Sequence, residues 1–374
     1  LLPFGFASFL AFGLVLVLVG ANQTYLARDL GLDLSRSGLL ASVLSLGLGV
    51  GVVGAGPLFD RFPRKPLFAG SLLLAAAALG SVERDMSFQH WLAHLALAGL
   101  GIGAYDTLVN AVVVQRFAER AARPMAAVHA AATLGAMSGP PLVGWLAGQG
   151  DWVRSFHAAG LAHAVLAAVA LVVRFPPPDP RPAAGTAGLR IPPALVPIAL
   201  IAFVYVGIES GLTVFALPYA AHLGLDAARG QLGISAFWLG LLSGRVGVLT
   251  LRRALDARVL AGAGLAGASV LGLASLAPTG QVEGTLFTAG LVLGCVYPLM
   301  IALAGQVAPH ARGTAAGLAA GAGALGGFGV PWLAGAIGDA AGVGSAIASL
   351  ALCSALIAVF AWMAMRVRRI GQEG

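Results

Sequence analysis

The chain has 374 residues, of which 59% are hydrophobic and only 10% charged, and its mean hydropathy is +0.90. A soluble domain needs about 25% charged residues to cover its surface, so this composition excludes one and leaves most of the exterior to lipid. The net charge of +7 does not point to nucleic acid, because the basic residues fall in short loops between apolar stretches.

Those stretches are each about 20 residues long, enough to cross a hydrocarbon core of roughly 30 Å. Helices are expected, because a helix satisfies its own backbone hydrogen bonds in lipid. The short alternating segments of a β-barrel are absent. Twelve spans are predicted at 4–27, 35–59, 66–83, 90–115, 124–147, 154–174, 194–220, 228–250, 258–277, 283–306, 313–337 and 343–365. The first has no basic segment ahead of it, so no cleavable signal peptide is expected.

Span 1 carries Asn22 and Gln23 towards its outer part, as substrate contacts or as helix-packing groups. Between spans 2 and 3 runs Gly56-Pro57-Leu58-Phe59-Asp60-Arg61-Phe62-Pro63-Arg64-Lys65, a basic loop with one acid. On span 4, Asp106 lies ten residues before Arg116, roughly 15 Å from the membrane edge at 1.5 Å per residue. Asn110 is four residues on, on the same helical face. Span 5 holds His129, a candidate for a proton path or a helix contact, with Gly135, Gly139, Pro140 and Gly144. Trp152 and Arg154 open span 6. A Pro-rich linker, 175–193, separates an N-terminal bundle at 1–174 from a C-terminal bundle at 194–374.

Span 7 places Glu209 near its centre, with Tyr205 four residues earlier on the same face. Span 8 carries Trp238, a candidate cavity residue, and Arg245, which either snorkels or joins an ion pair between halves. Tyr297 on span 10 precedes Pro298. Ionisable residues at membrane depth cost a few kcal/mol or more and normally face a cavity. Asp106 and Glu209 are therefore candidates for proton coupling, with holding helices together as the plainer reading. Cys295 and Cys353 fall in apolar spans and read as small packing residues. The seven histidines are scattered, so neither a metal site nor a cofactor site is expected.

Sixteen of the 22 basic residues fall on one side of this topology and five on the other, with Arg245 inside a span. That bias predicts cytoplasmic termini. The halves also align with each other. At an offset of 193, Gly31-Leu32-Asp33 meets Gly224-Leu225-Asp226, and Ser42, Gly47, Gly51, Gly54 and Lys65 meet Ser235, Gly240, Gly244, Gly247 and Arg258. At an offset of 191, Gly99, Gly103, Gln115, Gly135, Pro140 and Gly144 meet Gly290, Gly294, Gln306, Gly326, Pro331 and Gly335. By that register Tyr297 takes the place of Asp106. Two six-span units repeated in one orientation make a transporter plan with the substrate site near the midplane.

The loop from Gly56 to Lys65 resembles the cytoplasmic signature of the major facilitator superfamily, a glycine, then Asp-Arg, then paired basic residues, with Pro63 where that family usually has glycine. The resemblance implies a conformational gate at Gly56, Asp60, Arg61, Arg64 and Lys65, and Arg245 is grouped with it. Gly103-Ala104-Tyr105-Asp106-Thr107-Leu108-Val109-Asn110 and Phe203-Val204-Tyr205-Val206-Gly207-Ile208-Glu209, with Tyr219 further on, resemble elements of the fucose-permease-like and sodium–glucose transporter branch. The span 5 glycines partly resemble the glycine–proline motif of drug/proton antiporters.

The expectation is an all-α membrane protein of twelve helices, in two six-helix halves related by pseudo-two-fold symmetry. It would work as a monomer in a cell membrane, as a proton-coupled symporter of a sugar or similar polar small molecule by alternating access. Sodium is the alternative ion, and drug/proton antiport the alternative function. A polytopic enzyme or a sensor ranks below both. Asn22, Gln23, Asn110, Tyr205, Trp238 and Tyr297 are the substrate candidates, and Asp106, Glu209 and His129 the coupling candidates.

Overall fold

A computed structural model describes residues 1–117, 120–176, 192–250, 257–276, 280–308 and 312–373; the side chains at 57, 60, 61, 122, 248–250, 312–314 and 368–373 lie outside the description. Fourteen helices are found among the described residues: α1 (Leu2–Ala21), α2 (Gln23–Leu30), α3 (Leu34–Arg61), α4 (Arg64–Gly80), α5 (Phe88–Phe117), α6 (Ala122–Gly148), α7 (Arg154–Val172), α8 (Leu195–His222), α9 (Ala227–Thr250), α10 (Ala257–Leu276), α11 (Val282–Leu293), α12 (Val296–Val307), α13 (Arg312–Ala341) and α14 (Val343–Glu373).

Two of the expected spans are each broken in two. The first breaks at Asn22, between α1 and α2, and the tenth at Gly294 and Cys295, between α11 and α12. Fourteen helices therefore make twelve spans. Nine of these, among the described residues, are long and apolar enough to cross a membrane by length and composition. The spans of α4, α6 and α9 fall short. α4 has only 17 residues, α6 carries His129, Ser138 and the Pro140–Pro141 pair, and α9 carries Gln231, Ser235 and Arg245.

The helices form two compact units, Leu1–Gly31 with Val43–Gly188, and Leu32–Ser42 with Leu189–Gly374. The N-terminal end of α3 thus belongs to the second unit. Asp339 on α13 holds it there, accepting the backbone N–H of Leu34 at 2.7 Å and of Ser35 at 2.9 Å. A carboxylate in that place satisfies orphan donors and opposes the positive end of the helix dipole.

Within the first unit α1 packs on α6, and α4 on α5 and α7; within the second α8 packs on α13 and α14, α9 on α11, and α10 on α14. Glycine sets the closest approaches. A Cβ on Gly47, Gly51, Gly99 or Gly103 would strike the backbone carbonyl of Ala96, Leu100, Leu44 or Leu48, so α3 and α5 touch backbone to backbone. In the second unit a Cβ on Gly240, Gly244, Gly290 or Gly294 would strike Phe287, Leu291, Phe237 or Leu241 in the same way. Each contact lies at the position the internal repeat predicts. Gly135 against Leu10 and Gly326 against Phe203 form a third matched pair. At one further position the glycine changes sides: Gly13 meets Ala132 in the first unit, and Val206 meets Gly323 in the second. One small partner suffices, and which helix supplies it is immaterial to the packing.

The repeated Gly-Leu-Asp element is a turn. Gly31 and Gly224 have φ of 62° and 73°, a region that favours glycine. Asp33 and Asp226 then accept the N–H three residues on, from Arg36 at 2.7 Å and Arg229 at 3.0 Å, capping the next helix.

Near the end of α2, Asp29 accepts hydrogen bonds from Arg84 (2.5 Å), Arg28 (2.8 Å) and the Trp152 indole (2.8 Å). The Arg84 guanidinium foremost, then Arg28 and the indole, holds its carboxyl well below the usual carboxylate range against the opposing effect of burial. Trp152 stacks on Trp91 at 5.6 Å and on Tyr25 at 6.4 Å, so this carboxylate fixes an aromatic cluster.

Two outcomes are expected. Gly103→Val or Gly294→Val lowers the melting temperature of purified protein by an amount equivalent to about 1–3 kcal/mol or prevents folding. Gly70→Ala, where nothing lies within 4 Å of a new Cβ, does not. Because the folded carboxyl of Asp29 is depressed, its stabilisation is complete above about pH 4 and fades as pH falls below that value. Thermal melts from pH 7 to pH 3 should therefore steepen in the wild type and flatten in Asp29→Asn.

Candidate functional site

On α5 of the first unit, Asn110 Nδ2 donates to Asp106 Oδ1 at 3.0 Å. The one-turn spacing makes the pair, as the sequence implied. Both side chains are half-buried, and Asn110 Oδ1 is buried with no hydrogen-bond partner. Thr107 Oγ1 lies 3.2 Å from the carbonyls of both Val52 and Gly103, which fixes α5 against α3 beside the glycine contact. The carboxyl therefore stands on a rigid element, with an amide donor as its neighbour and an unused acceptor one turn away.

Behind Asp106 lies a pair that sequence reasoning missed. Tyr105 is fully buried, and its hydroxyl is 3.1 Å from His163 Nε2 and 3.4 Å from the carbonyl of Ser8. His163 Nδ1 is 2.8 Å from the carbonyl of Ala159. A carbonyl only accepts, so Nδ1 carries the proton and Nε2 accepts from Tyr105, an assignment made from the hydrogen-bond network. The signal was present in the sequence, a histidine in the apolar later part of α7, but nothing there named its partner.

In the second unit, Arg245 on α9 approaches two groups on α8: Glu209 Oε1 at 3.6 Å and the Tyr205 hydroxyl at 3.5 Å. The rings of Tyr205 and Tyr297 are 6.1 Å apart. The sequence offered Arg245 as a snorkelling residue or as one arm of a pair between halves. Inside its own unit it pairs with a residue selected independently as a coupling candidate. The Gly240 and Gly244 contacts on α9 set which way that helix faces. Tyr219 stands apart, donating to the carbonyl of Ala274 at 2.7 Å as a tie to α10.

The other candidates are dispersed. Asn22 is fully buried at the break in the first span. Its Nδ2 donates to Leu18 O (3.0 Å) and Ser155 Oγ (2.9 Å), while its Oδ1 has no partner. Gln23 is buried beside it. His129 is exposed on α6, edge-on to Phe9 at 5.0 Å. Trp238 is buried against Phe237, and its indole N–H has no partner.

Of the expected gate residues, Asp60 and Arg61 lie outside the described side chains. Gly56 faces open space. Arg64 is buried. It donates to Gln115 and, at 2.7 Å, to the carbonyl of Pro176, and it lies over the Phe59 ring at 4.2 Å. Lys65 donates to the carbonyl of Leu171 at 2.9 Å. Both cations thus anchor α4 to neighbours in the first unit, satisfying carbonyls at and beyond the end of α7. Among the described residues no group of three or more His, Cys, Asp or Glu is placed to hold a metal.

The family described as Major Facilitator Superfamily matches residues 4–331. Similar curated proteins are the niacin transporter NiaP of Acinetobacter baylyi, 35% identical over 81 residues (22% of this chain and 18% of that protein), and the mouse sodium-dependent glucose transporter 1A, 25% identical over 137 residues (37% and 32%). These alignments span about a third or less of the relatives' own length. The solved structure of the E. coli fucose:proton symporter FucP superposes with a TM-score of 0.65 at 18% identity, covering 96% of this chain and 98% of that one. At that identity the likeness shows the fold alone, the twelve-helix fold expected from the sequence.

The buried pair carries a prediction for site architecture. Tyr105→Phe leaves His163 Nε2 without a donor, at a cost of about 1–3 kcal/mol. The melting temperature should fall accordingly, and Tyr105→Phe combined with His163→Leu should recover part of the loss.

Proposed function

This chain belongs to the Major Facilitator Superfamily, and we propose that it is a secondary active transporter, a proton-coupled symporter of a sugar or similar polar small molecule that works by alternating access. Family and fold are those of multi-pass membrane transporters, not of enzymes. The bias of basic residues supports a cell-membrane location with both termini in the cytoplasm.

The observation that carries the reading is the Asp106–Asn110 pair on α5. A carboxyl held by an amide, with no cation in ion-pair contact among the described residues, loses no such partner when it takes up a proton. Glu209 differs: neutralising it leaves the Arg245 guanidinium less compensated in a partly buried place, which is costly. Asp106 is therefore the first coupling carboxyl and Glu209 the second.

The unpartnered Oδ1 atoms of Asn110 and Asn22 are acceptors suited to substrate hydroxyls, and the Trp238 indole N–H is a donor. Tyr205 and Tyr297 supply aromatic faces. Gln23 and His129 rank lower as contacts. Similarity to a fucose:proton symporter and to a sodium-dependent glucose transporter supports the sugar reading, the second leaving sodium as the alternative ion. Gly135 and Gly139 pack α6 on α1, and drug/proton antiport stays the second reading.

The test is uptake of a panel of labelled sugars into liposomes holding the full-length protein, under an inward pH gradient or an inward sodium gradient. Accumulation should follow the proton gradient. Asp106→Asn should reduce it to the level of protein-free liposomes while sparing counterflow. Undiminished proton-driven accumulation in that variant would overturn the assignment of Asp106.

A further inference from the structure

Helix α14 is longer than a bilayer core requires. Its 31 residues span about 46 Å at 1.5 Å per residue, against a hydrocarbon thickness of roughly 30 Å. Counted from Val343, Trp362 lies about 28 Å along the axis and Arg366 about 34 Å. The Trp362 ring therefore stands where hydrocarbon gives way to headgroups, and the Arg366 guanidinium stands among the headgroups.

One face of this helix is left uncovered by protein. Leu352, Val359, Trp362 and Met363 are exposed along it, and Arg366 continues the stripe one turn beyond Trp362. The Arg366 Cζ lies 3.7 Å from the Trp362 ring centroid, a cation–π contact that holds the long side chain in place. The ring attracts the charge but offers no oxygen to the five N–H donors. Among the described residues no carboxylate is in ion-pair contact with Arg366. A second cation stands at the same level. Gly264 on α10 meets Ser354 and Ala358, and Ser275 Oγ donates to the Gly344 carbonyl at 2.9 Å. That antiparallel register brings the exposed Arg258, at the start of α10, level with Trp362.

We propose that this end of α14 is a binding site for an anionic phospholipid, whose phosphate takes the Arg366 guanidinium and whose acyl chain lies along Met363, Val359 and Leu352. The order of groups on the helix matches the order of parts in the lipid: cation, then amphipathic ring, then apolar stripe. Trp362 occupies the level of the glycerol esters, where an indole is both apolar and hydrogen-bonding. The planar fork of arginine fits two phosphate oxygens at once. Charge selects the headgroup. A phosphatidylcholine phosphate already has its own cation beside it, whereas a phosphatidylglycerol phosphate has none and gains more from Arg366 and Arg258. The site lies on the lipid-facing side of one helix and is independent of the solute carried.

The test is native mass spectrometry of full-length protein in non-ionic detergent, titrated with phosphatidylglycerol or phosphatidylcholine of identical acyl chains. The first phosphatidylglycerol should bind about fivefold more tightly than the first phosphatidylcholine, the factor that one basic residue at a lipid surface supplies. Arg366→Gln should remove most of that preference, and Trp362→Leu, which keeps the charge, should remove part of it. Arg116→Gln alters another exposed arginine near a ring at a helix end, 5.9 Å from Phe117, and should leave the preference unchanged. Inorganic phosphate in molar excess should not displace the lipid. The proposal is overturned if the two lipids bind alike, if Arg366→Gln or Trp362→Leu keeps the whole preference, if Arg116→Gln lowers it as much as Arg366→Gln, or if inorganic phosphate displaces the lipid. Arg366 and Trp362 are both exposed, so their replacement leaves the fold intact. No solute or gradient enters this measurement, so its failure is distinct from a failure of the transport reading.

Discussion

In hydrocarbon, a helix side chain gains nothing by leaving lipid for another apolar side chain, so helices stay together where their surfaces come closest. Here the closest surfaces are backbones, and glycine is what admits them. The carbonyls of Leu44, Leu48, Ala96 and Leu100 occupy the space where the side chains of Gly99, Gly103, Gly47 and Gly51 would begin. The same arrangement recurs with Phe237, Leu241, Phe287 and Leu291 in the second unit. These contacts orient α5 and α9, the helices that carry Asp106 and Arg245. The chemistry of both sites thus depends on side chains that are missing.

The two clusters handle buried charge in different ways. In the first unit a carboxyl rests on an amide, and the nearby His163 is tied up between a carbonyl and the Tyr105 hydroxyl. In the second a carboxyl and a guanidinium face each other at a distance longer than a formed bond.

The basic residues of the motif loop tie helix ends together. Arg64 and Lys65 are spent on the carbonyls of Pro176 and Leu171, with Gln115 and the Phe59 ring completing the Arg64 site. Their charge closes the end of the first unit around α4. Asp339 performs a comparable task at the N-terminus of α3, where one carboxylate holds two backbone donors. Both devices spend ionic groups on helix ends, the places where a membrane helix cannot satisfy its own backbone.

Twelve spans, their internal repeat and the two acids at membrane depth were legible in the sequence. Apolar length and the spacing of glycines are properties of the chain alone, and lipid enforces them locally. The breaks at Asn22 and at Gly294 and Cys295 were not legible, because an interruption of one or two residues leaves the hydropathy of a span intact. Nor were the partners of His163 and Arg245, since these contacts join residues 58 and 36–40 positions apart through helix packing. The sequence determined which groups are buried in the membrane. Tertiary structure decided which of them meet, because a helix fixes the direction of its side chains only relative to its own axis, and the rotation of each axis is set by where its glycines touch a neighbour.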